Sequence, residues 1–294
     1  MPRLAVLGYP VSHSRSPAMQ NAALAELGLA NEWSYEAIEV EPGRFDEVVG
    51  GLAGEGFAGV NITVPHKLAA LSVADEASDA AKAIGAANTL SFSDAGIAAE
   101  NTDATGIIEA IEIPVAGLHA LVLGAGGSAR AAIWALHNAG AAVEVWNRTA
   151  VKAGVLAQEF GIEHLATSNE QLDVGAYDLV INATTVGLEQ AATHAPTHAD
   201  LKGHPVDADS ISARTTVVDL VYGSHQTALA ASARASGARV VDGLEVLVRQ
   251  GAASLLIWTG IEPPLETMRQ AAGSNRPDGN RENCRTSPGG PRRR

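Results

Sequence analysis

The sequence predicts an α/β protein of two units, each built on a largely parallel sheet. Short apolar runs alternate with helical segments along most of the chain. A second series of this kind opens near Leu118 with a glycine-rich turn. At 294 residues the chain suits two hydrophobic cores better than one. Its composition, 46% hydrophobic and 18% charged, is that of a folded protein. Aromatics are only 4%, so Ala, Val, Leu and Ile must build the core.

In chain order, Leu4 to Gly8 reads as a strand. Ser16-Pro17 follows as an N-cap with Pro at the first helical position, and the helix runs to Gly28. Trp33 to Val40 is a strand broken by Pro42-Gly43, and Phe45 to Leu52 a helix. Gly59 to Val64 is a strand stopped by Pro65. Asp75 to Ile84 reads as a helix, Asn88 to Phe92 as a strand, and Ala104 to Ile111 as a helix bridging to the second unit. There, strand Ala120 to Leu123 leads into helix Ala129 to Asn138, closed by Gly140. Strands follow at Ala142 to Trp146, Leu179 to Asn182, Thr216 to Val221 and Arg239 to Val241. Glu189 to Arg214 is polar and is expected to form loops. Helices Leu244 to Trp258 and Leu265 to Ala272 end the fold, and the Gly, Pro, Asn, Ser and Arg that follow Gly273 suggest disorder. The expected domains are 1–102, 103–241 and a C-terminal pair of helices, 242–273, that packs back on the first; 274–294 forms a basic tail.

The net charge of −13 argues against nucleic-acid binding. Residues 275–294 carry six Arg against Asp278 and Glu282, a net of +4, which leaves −17 on the rest. Cys284 is the sole cysteine, which excludes an internal disulfide and a cysteine metal cluster. His194 and His198 are spaced i,i+4, but Pro196 between them speaks for loop residues rather than metal ligands. The apolar run Leu4 to Leu7 is too short for a signal peptide or a membrane span, so no membrane association and a cytoplasmic location are expected.

Gly124-Ala125-Gly126-Gly127-Ser128-Ala129 fits G-x-G-x-x-G/A between a predicted strand and a predicted helix, the context a dinucleotide requires. Gly124 permits the tight turn, Gly126 the approach of a pyrophosphate, and Ala129 close packing of helix on strand. The helix N-terminus offers N–H groups to phosphates. Without a ligand the same residues would be an ordinary glycine turn. At the next strand end stands Asn147-Arg148-Thr149, with Lys152 one turn on and no carboxylate. Cations there favour NADP over NAD, because a 2′-phosphate takes the place of the ribose hydroxyl.

Polar residues gather where strands of the first unit hand over to helices, the ends that face the ligand crevice of an open sheet. They are Ser12-His13-Ser14-Arg15-Ser16-Pro17, Asn61-Ile62-Thr63-Val64-Pro65-His66-Lys67, Gly85-Ala86-Ala87-Asn88-Thr89 and Asn101-Thr102-Asp103. Singly, Ser16 and Asp103 read equally well as helix caps, Lys67 as a surface lysine, and Asn61 and Asn88 as turn residues. Together they suit a small ligand bearing several hydroxyl groups.

With Ile181-Asn182-Ala183-Thr184, Asp242-Gly243-Leu244, Gln250-Gly251-Ala252 and Trp258-Thr259-Gly260, these motifs resemble, in order and from about Leu4 to Gly260, the shikimate dehydrogenase family. The resemblance implies an N-terminal α/β substrate-binding domain plus a Rossmann-type NADP-binding domain, and reversible reduction of 3-dehydroshikimate to shikimate with NADPH. It implies that Ser14, Ser16 and Tyr222 bind the substrate carboxylate, and that Thr63, Asn88, Asp103 and Gln250 hold ring hydroxyls. Lys67 and Asp103 would be the catalytic pair, and Leu220 and Gly243 would line the nicotinamide end. No metal is required, and a monomer or homodimer is expected. Tyr9, Gln20, Ala87 and Ser224 depart from the family pattern, and Gly223-Ser224-His225 is expected to loosen the loop that carries Tyr222. Two rival readings are a quinate/shikimate dehydrogenase of broader polyol and cofactor range, and a non-catalytic NADP-binding regulator.

Overall fold

The computed structural model describes residues 1–165, 172–193, 196, 201 and 205–273, and contains two six-stranded sheets. The first comprises β1 (Arg3–Gly8), β2 (Ser34–Glu39), β3 (Phe57–Ile62), β4 (Glu76–Ala77), β5 (Thr89–Ser93) and β6 (Gly96–Glu100), in the order β2-β1-β3-β5-β6-β4. β1 runs parallel to β2 and β3, but β5 is antiparallel to both β3 and β6. Ser93 pairs with Gly96 across a tight hairpin, a connection that only antiparallel strands accept. Helices α1 (Ser16–Glu26), α2 (Phe45–Leu52), α3 (Lys67–Ser72) and α4 (Asp79–Ile84) flank this sheet, and α5 (Thr102–Ile111) leads away from it.

The second sheet is parallel throughout: β7 (His119–Leu123), β8 (Ala142–Trp146), β9 (Glu163–His164), β10 (Leu179–Asn182), β11 (Thr216–Asp219) and β12 (Arg239–Asp242), in the order β12-β11-β10-β7-β8-β9. Counted from β9 this is the 3-2-1-4-5-6 order of a doubly wound dinucleotide fold. Leu121, Val122, Leu123, Leu179, Val180 and Ile181 are fully buried, as strands covered on both faces require. The covering helices include α6 (Gly127–Asn138) and α7 (Ala150–Phe160); α8 (Leu188–Thr193) and α9 (Ala228–Ala235) follow.

α10 (Gly243–Thr259) and α11 (Leu265–Ala272) return to the first unit. Val248, Ala252, Leu255, Met268 and Ala272 share one apolar cluster with Leu4, Val6, Met19, Leu24 and Tyr35. α10 crosses α5 so closely that a Cβ at Gly106 would lie 2.8 Å from the backbone nitrogen of Gln250.

Several local expectations are corrected. Ser16 is the first helical residue rather than the cap, and the Ser14 hydroxyl instead accepts from the Ser16 N–H at 3.2 Å. Asn101, not Asp103, caps α5, its side chain accepting from the Ala104 N–H. Asp75 to Ile84 divides into β4 and α4, because Ser78 caps a new helix there. The segment expected as loops opens with α8. Lys67 begins a short helix, α3, which is an addition to the expected elements. α7 and α9 and the short β6 and β9 are additions to the expected elements. His194, His198, Cys284 and the basic tail lie outside the described residues.

Candidate active site

The carboxyl ends of the two sheets and the first half of α10 border one cleft. Turns after β1 and β3 bring Ser14, Ser16, Thr63 and Lys67 to it. Asp103 comes from the first turn of α5, where a carboxylate gains from the helix dipole, and Gln250 from α10. Ser128, Leu220 and Tyr222 come from the second unit, and Gly243 from the start of α10. Side chains far apart in the chain thus meet in one space.

At its centre the Lys67 ammonium donates to Asp103 Oδ2 at 2.5 Å and to Ser128 Oγ at 3.0 Å. The Lys67 and Asp103 side chains are only 11% and 10% exposed, so solvent screens this pair weakly. Asn88 stands behind the wall rather than in it. Its Nδ2 has Asp103 Oδ1, Thr102 Oγ1 and Gln250 Oε1 within 3.1 Å, and its Oδ1 accepts from the Thr102 N–H at 2.7 Å. Asn88 therefore ties Asp103 and Gln250, two side chains of the cleft, into one arrangement.

A buried polar network continues from there, beyond what the motifs suggested. Ser254 Oγ accepts from Asn61 Nδ2 at 2.8 Å and lies 2.8 Å from Thr89 Oγ1 and 3.1 Å from Thr102 Oγ1. Tyr35 donates its phenol proton to Asn61 Oδ1 at 2.8 Å. Burial raises the Tyr35 pKa well above the ordinary phenol value, so this phenol stays a donor; the nearby Ser16 hydroxyl opposes the shift without cancelling it. Each of these hydroxyls finds a partner, as burial demands. The signal in the sequence is slight: Ser254 recurs one helical turn after Gln250 and would share its face.

Tyr222 also has a raised pKa from burial, which bonding with Ser14 and the Arg15 backbone partly offsets. Tyr222 and Ser14 line the same cleft, and the family resemblance groups them. The loop that carries Tyr222 touches α8. The His225 N–H donates to the Ala191 carbonyl of α8 at 2.9 Å, and Gly223 lies so close to that carbonyl that a Cβ would stand 2.5 Å away.

The glycine-rich turn has the geometry a dinucleotide needs. Gly124 has φ +118°, and a Cβ there would stand 2.8 Å from the Ala183 carbonyl. Gly126 is the extended N-cap of α6, and a Cβ on it would meet nothing within 4 Å, which leaves room for a pyrophosphate. Ala129 is fully buried in the core of the second unit. Ala125 and Gly127 complete the turn. Asn147 donates to the Thr149 carbonyl at 3.0 Å, which shapes the end of β8, and Arg148, Thr149 and Lys152 are exposed beside it. A Cβ on Gly243 would stand 2.7 Å from the Asp219 carbonyl and 2.8 Å from that of Leu220, so the end of β11 and the start of α10 abut. The residues present thus fit NADP: open N–H groups for the pyrophosphate and exposed cations for a 2′-phosphate. Among the described residues no group of three or more His, Cys, Asp or Glu is placed to hold a metal, and no helix is long and apolar enough to cross a membrane.

A doubly wound nucleotide fold facing a polar cleft, with a lysine–carboxylate pair between them, defines a nicotinamide-dependent oxidoreductase. Comparison with known proteins makes the class specific. Residues 6–90 match the shikimate dehydrogenase substrate binding domain, residues 108–196 the shikimate / quinate 5-dehydrogenase family, and residues 243–272 the shikimate 5′-dehydrogenase C-terminal domain. The chain is 42% identical over 279 residues to a shikimate dehydrogenase (NADP(+)) of Thermus thermophilus, covering 92% of this chain and 98% of that one. It is 41% identical over 276 residues to one of Methanocella arvoryzae, covering 91% and 96%. The crystal structure of shikimate 5-dehydrogenase from Thermus thermophilus in complex with NADP(H) and shikimate superposes with a TM-score of 0.81, at 41% identity, over 93% of this chain and 99% of that one. The chain belongs to the shikimate dehydrogenase family.

Proposed function

We propose that Lys67 and Asp103 are the catalytic pair of a reversible, NADPH-dependent reduction of 3-dehydroshikimate to shikimate, a step of aromatic amino-acid biosynthesis. The observation that carries this reading is the 2.5 Å Lys67–Asp103 contact inside a cleft that also holds the Ser14, Ser16, Thr63 and Tyr222 hydroxyls and the Gln250 amide. A regulator that only binds nucleotide has no need of a shielded proton donor there.

Reduction of a ketone requires a hydride at carbon and a proton at oxygen. NADPH supplies the hydride when bound. Lys67 donates the proton and stabilises the alkoxide as its charge grows. Asp103 orients Lys67 and accepts from the adjacent ring hydroxyl. Ser14, Ser16 and Tyr222 donate to the substrate carboxylate. Thr63, Asn88 and Gln250 hold the remaining hydroxyls, with Asn88 acting largely through the Asp103 and Gln250 side chains it bonds. Gly124, Ala125, Gly126, Gly127, Ser128 and Ala129 cradle the pyrophosphate through their backbone, which a change of the Ser128 side chain leaves in place. Asn147, Arg148, Thr149 and Lys152 receive the adenosine 2′-phosphate, and Leu220 and Gly243 border the nicotinamide. In this reading residues 1–102 and 242–273 serve the substrate and 103–241 the cofactor. The protein works in the cytoplasm as a monomer or homodimer.

A steady-state assay with shikimate and quinate, each with NADP and NAD, tests this. Shikimate with NADP is expected to be the best pair. Its kcat/KM should exceed that with NAD at least tenfold, since a charge-assisted contact to phosphate contributes roughly 1.5–3 kcal/mol. No turnover with any pair would favour the regulator, and quinate with NAD as the best pair would favour the broader dehydrogenase.

A further inference from the structure

Lys67 is held from two sides, and one of them belongs to the cofactor turn. Asp103, on α5, takes one ammonium proton at 2.5 Å. Ser128, in the first turn of α6, takes a second at 3.0 Å. The lysine stem lies against the same turn: a Cβ on Gly127 would stand 2.6 Å from Lys67 Cβ and 3.1 Å from its Cδ, closer than side-chain carbons pack. Gly126, one residue earlier, faces open space. The two adjacent glycines thus answer to different constraints. Gly126 leaves room for a ligand, and Gly127 leaves room for the lysine.

We propose that Ser128, with Gly127 beneath the lysine stem, is a positioning residue that aims the Lys67 ammonium at the substrate oxygen. The inference rests on reading Lys67 as the proton donor. An ammonium has three donors on a long flexible stem. One acceptor leaves it free to swing about that bond. Two acceptors at fixed places set the position of Nζ and direct the third N–H. Asp103 and Ser128 occupy two of the three directions, and the cleft containing Ser14, Thr63 and Gln250 is where the third is available. Because Ser128 stands on the nucleotide unit, the donor is aligned only while the cofactor turn lies against α3.

Two measurements on the full-length protein test this. Ser128→Ala is expected to lower kcat roughly 5- to 30-fold, as a misaligned donor does, while the shikimate KM and the NADPH Kd from nicotinamide fluorescence stay within about threefold. Ser128→Thr keeps the hydroxyl and should restore kcat to within about threefold of wild type. An unchanged kcat in Ser128→Ala, or a loss seen only as weaker NADPH binding, would overturn the proposal. The second measurement needs neither cofactor nor turnover. Reductive methylation with formaldehyde and dimethylamine-borane is followed at Lys67 by peptide mass spectrometry, with exposed Lys82 as the internal reference. Lys67 should react at least about threefold faster in Ser128→Ala than in wild type or Ser128→Thr. Equal rates would refute the Ser128 anchor even in an active enzyme. Faster methylation in a protein that does not turn shikimate over would uphold the anchor and refute the catalytic reading.

Discussion

Lys67→Ala removes the ammonium bonded to Asp103, so kcat is expected to fall by roughly 10²–10⁴ while the shikimate KM changes much less. Gln250→Ala removes the contact we propose to a ring hydroxyl that does not react. It should therefore raise KM more than it lowers kcat, with some loss of kcat allowed because the same contact orients the ring. Steady-state kinetics at saturating substrate, with the fold checked by circular dichroism, separates the two. A near-normal kcat in Lys67→Ala would move the proton donor to another group. The different outcomes follow from timing: charge on the substrate oxygen develops only in the transition state, and Lys67 is the group we propose to meet it.

At the scale of elements, α10 is the part on which both halves depend. It packs on α5, borders β11 through Gly243 and carries Gln250 into the cleft. Gly106 allows α5 to approach it. Gly106→Ala would press a methyl group to 2.8 Å from the Gln250 backbone nitrogen and Cβ, and overpacking of this kind costs about 1–3 kcal/mol. Urea unfolding should show that loss, and the shikimate KM should rise with it because Gln250 is pushed along with its helix. A variant as stable as wild type with an unchanged KM would mean that α5 and α10 separate easily. α10 is clamped from α11 as well: Arg269 grips Glu245 with two hydrogen bonds of 2.8 Å. Burial pushes the Glu245 carboxyl up, but its bonds to Arg269 and Arg249 outweigh that and hold it below the usual carboxylate range.

For the molecule as a whole, Asp219 introduces a pH dependence of stability. It ends β11, accepts from Asn182 Nδ2 of β10 at 2.9 Å, and is bonded by the hydroxyl of Thr227, which caps α9. Burial pushes its carboxyl up to about 6, against the ordinary 3.8, in spite of these bonds. Between those values the folded protein keeps a proton that the unfolded chain has released. Stability contributed at Asp219 therefore falls as pH rises from about 4 to about 6 and is level above, a change on the order of 3 kcal/mol. Urea unfolding at pH 4, 5, 6 and 7 should show a steeper decline for wild type than for Asp219→Asn. Parallel curves would mean that Asp219 is ionised in the folded state throughout.

The alternation of strands and helices, the cofactor turn and the residue types of the site are all legible in the sequence. Each is local: apolar runs, Gly and Pro punctuation and short motifs leave their trace within a few residues. The elements that escape such a reading are short or built of small residues, as in α9, where five of eight residues are alanine. Only the tertiary structure decided which residues meet. Asn88 and Gln250 lie 162 positions apart, Asn61 and Ser254 193, and Lys67 and Ser128 61, and each pair forms a hydrogen bond. It also decided that Asn88 stands behind the wall, that α8 braces the Tyr222 loop, and that Gly127 is required by a lysine on the other unit. Such contacts depend on how two sheets and α10 pack together, and packing between distant segments imposes no periodicity on either of them.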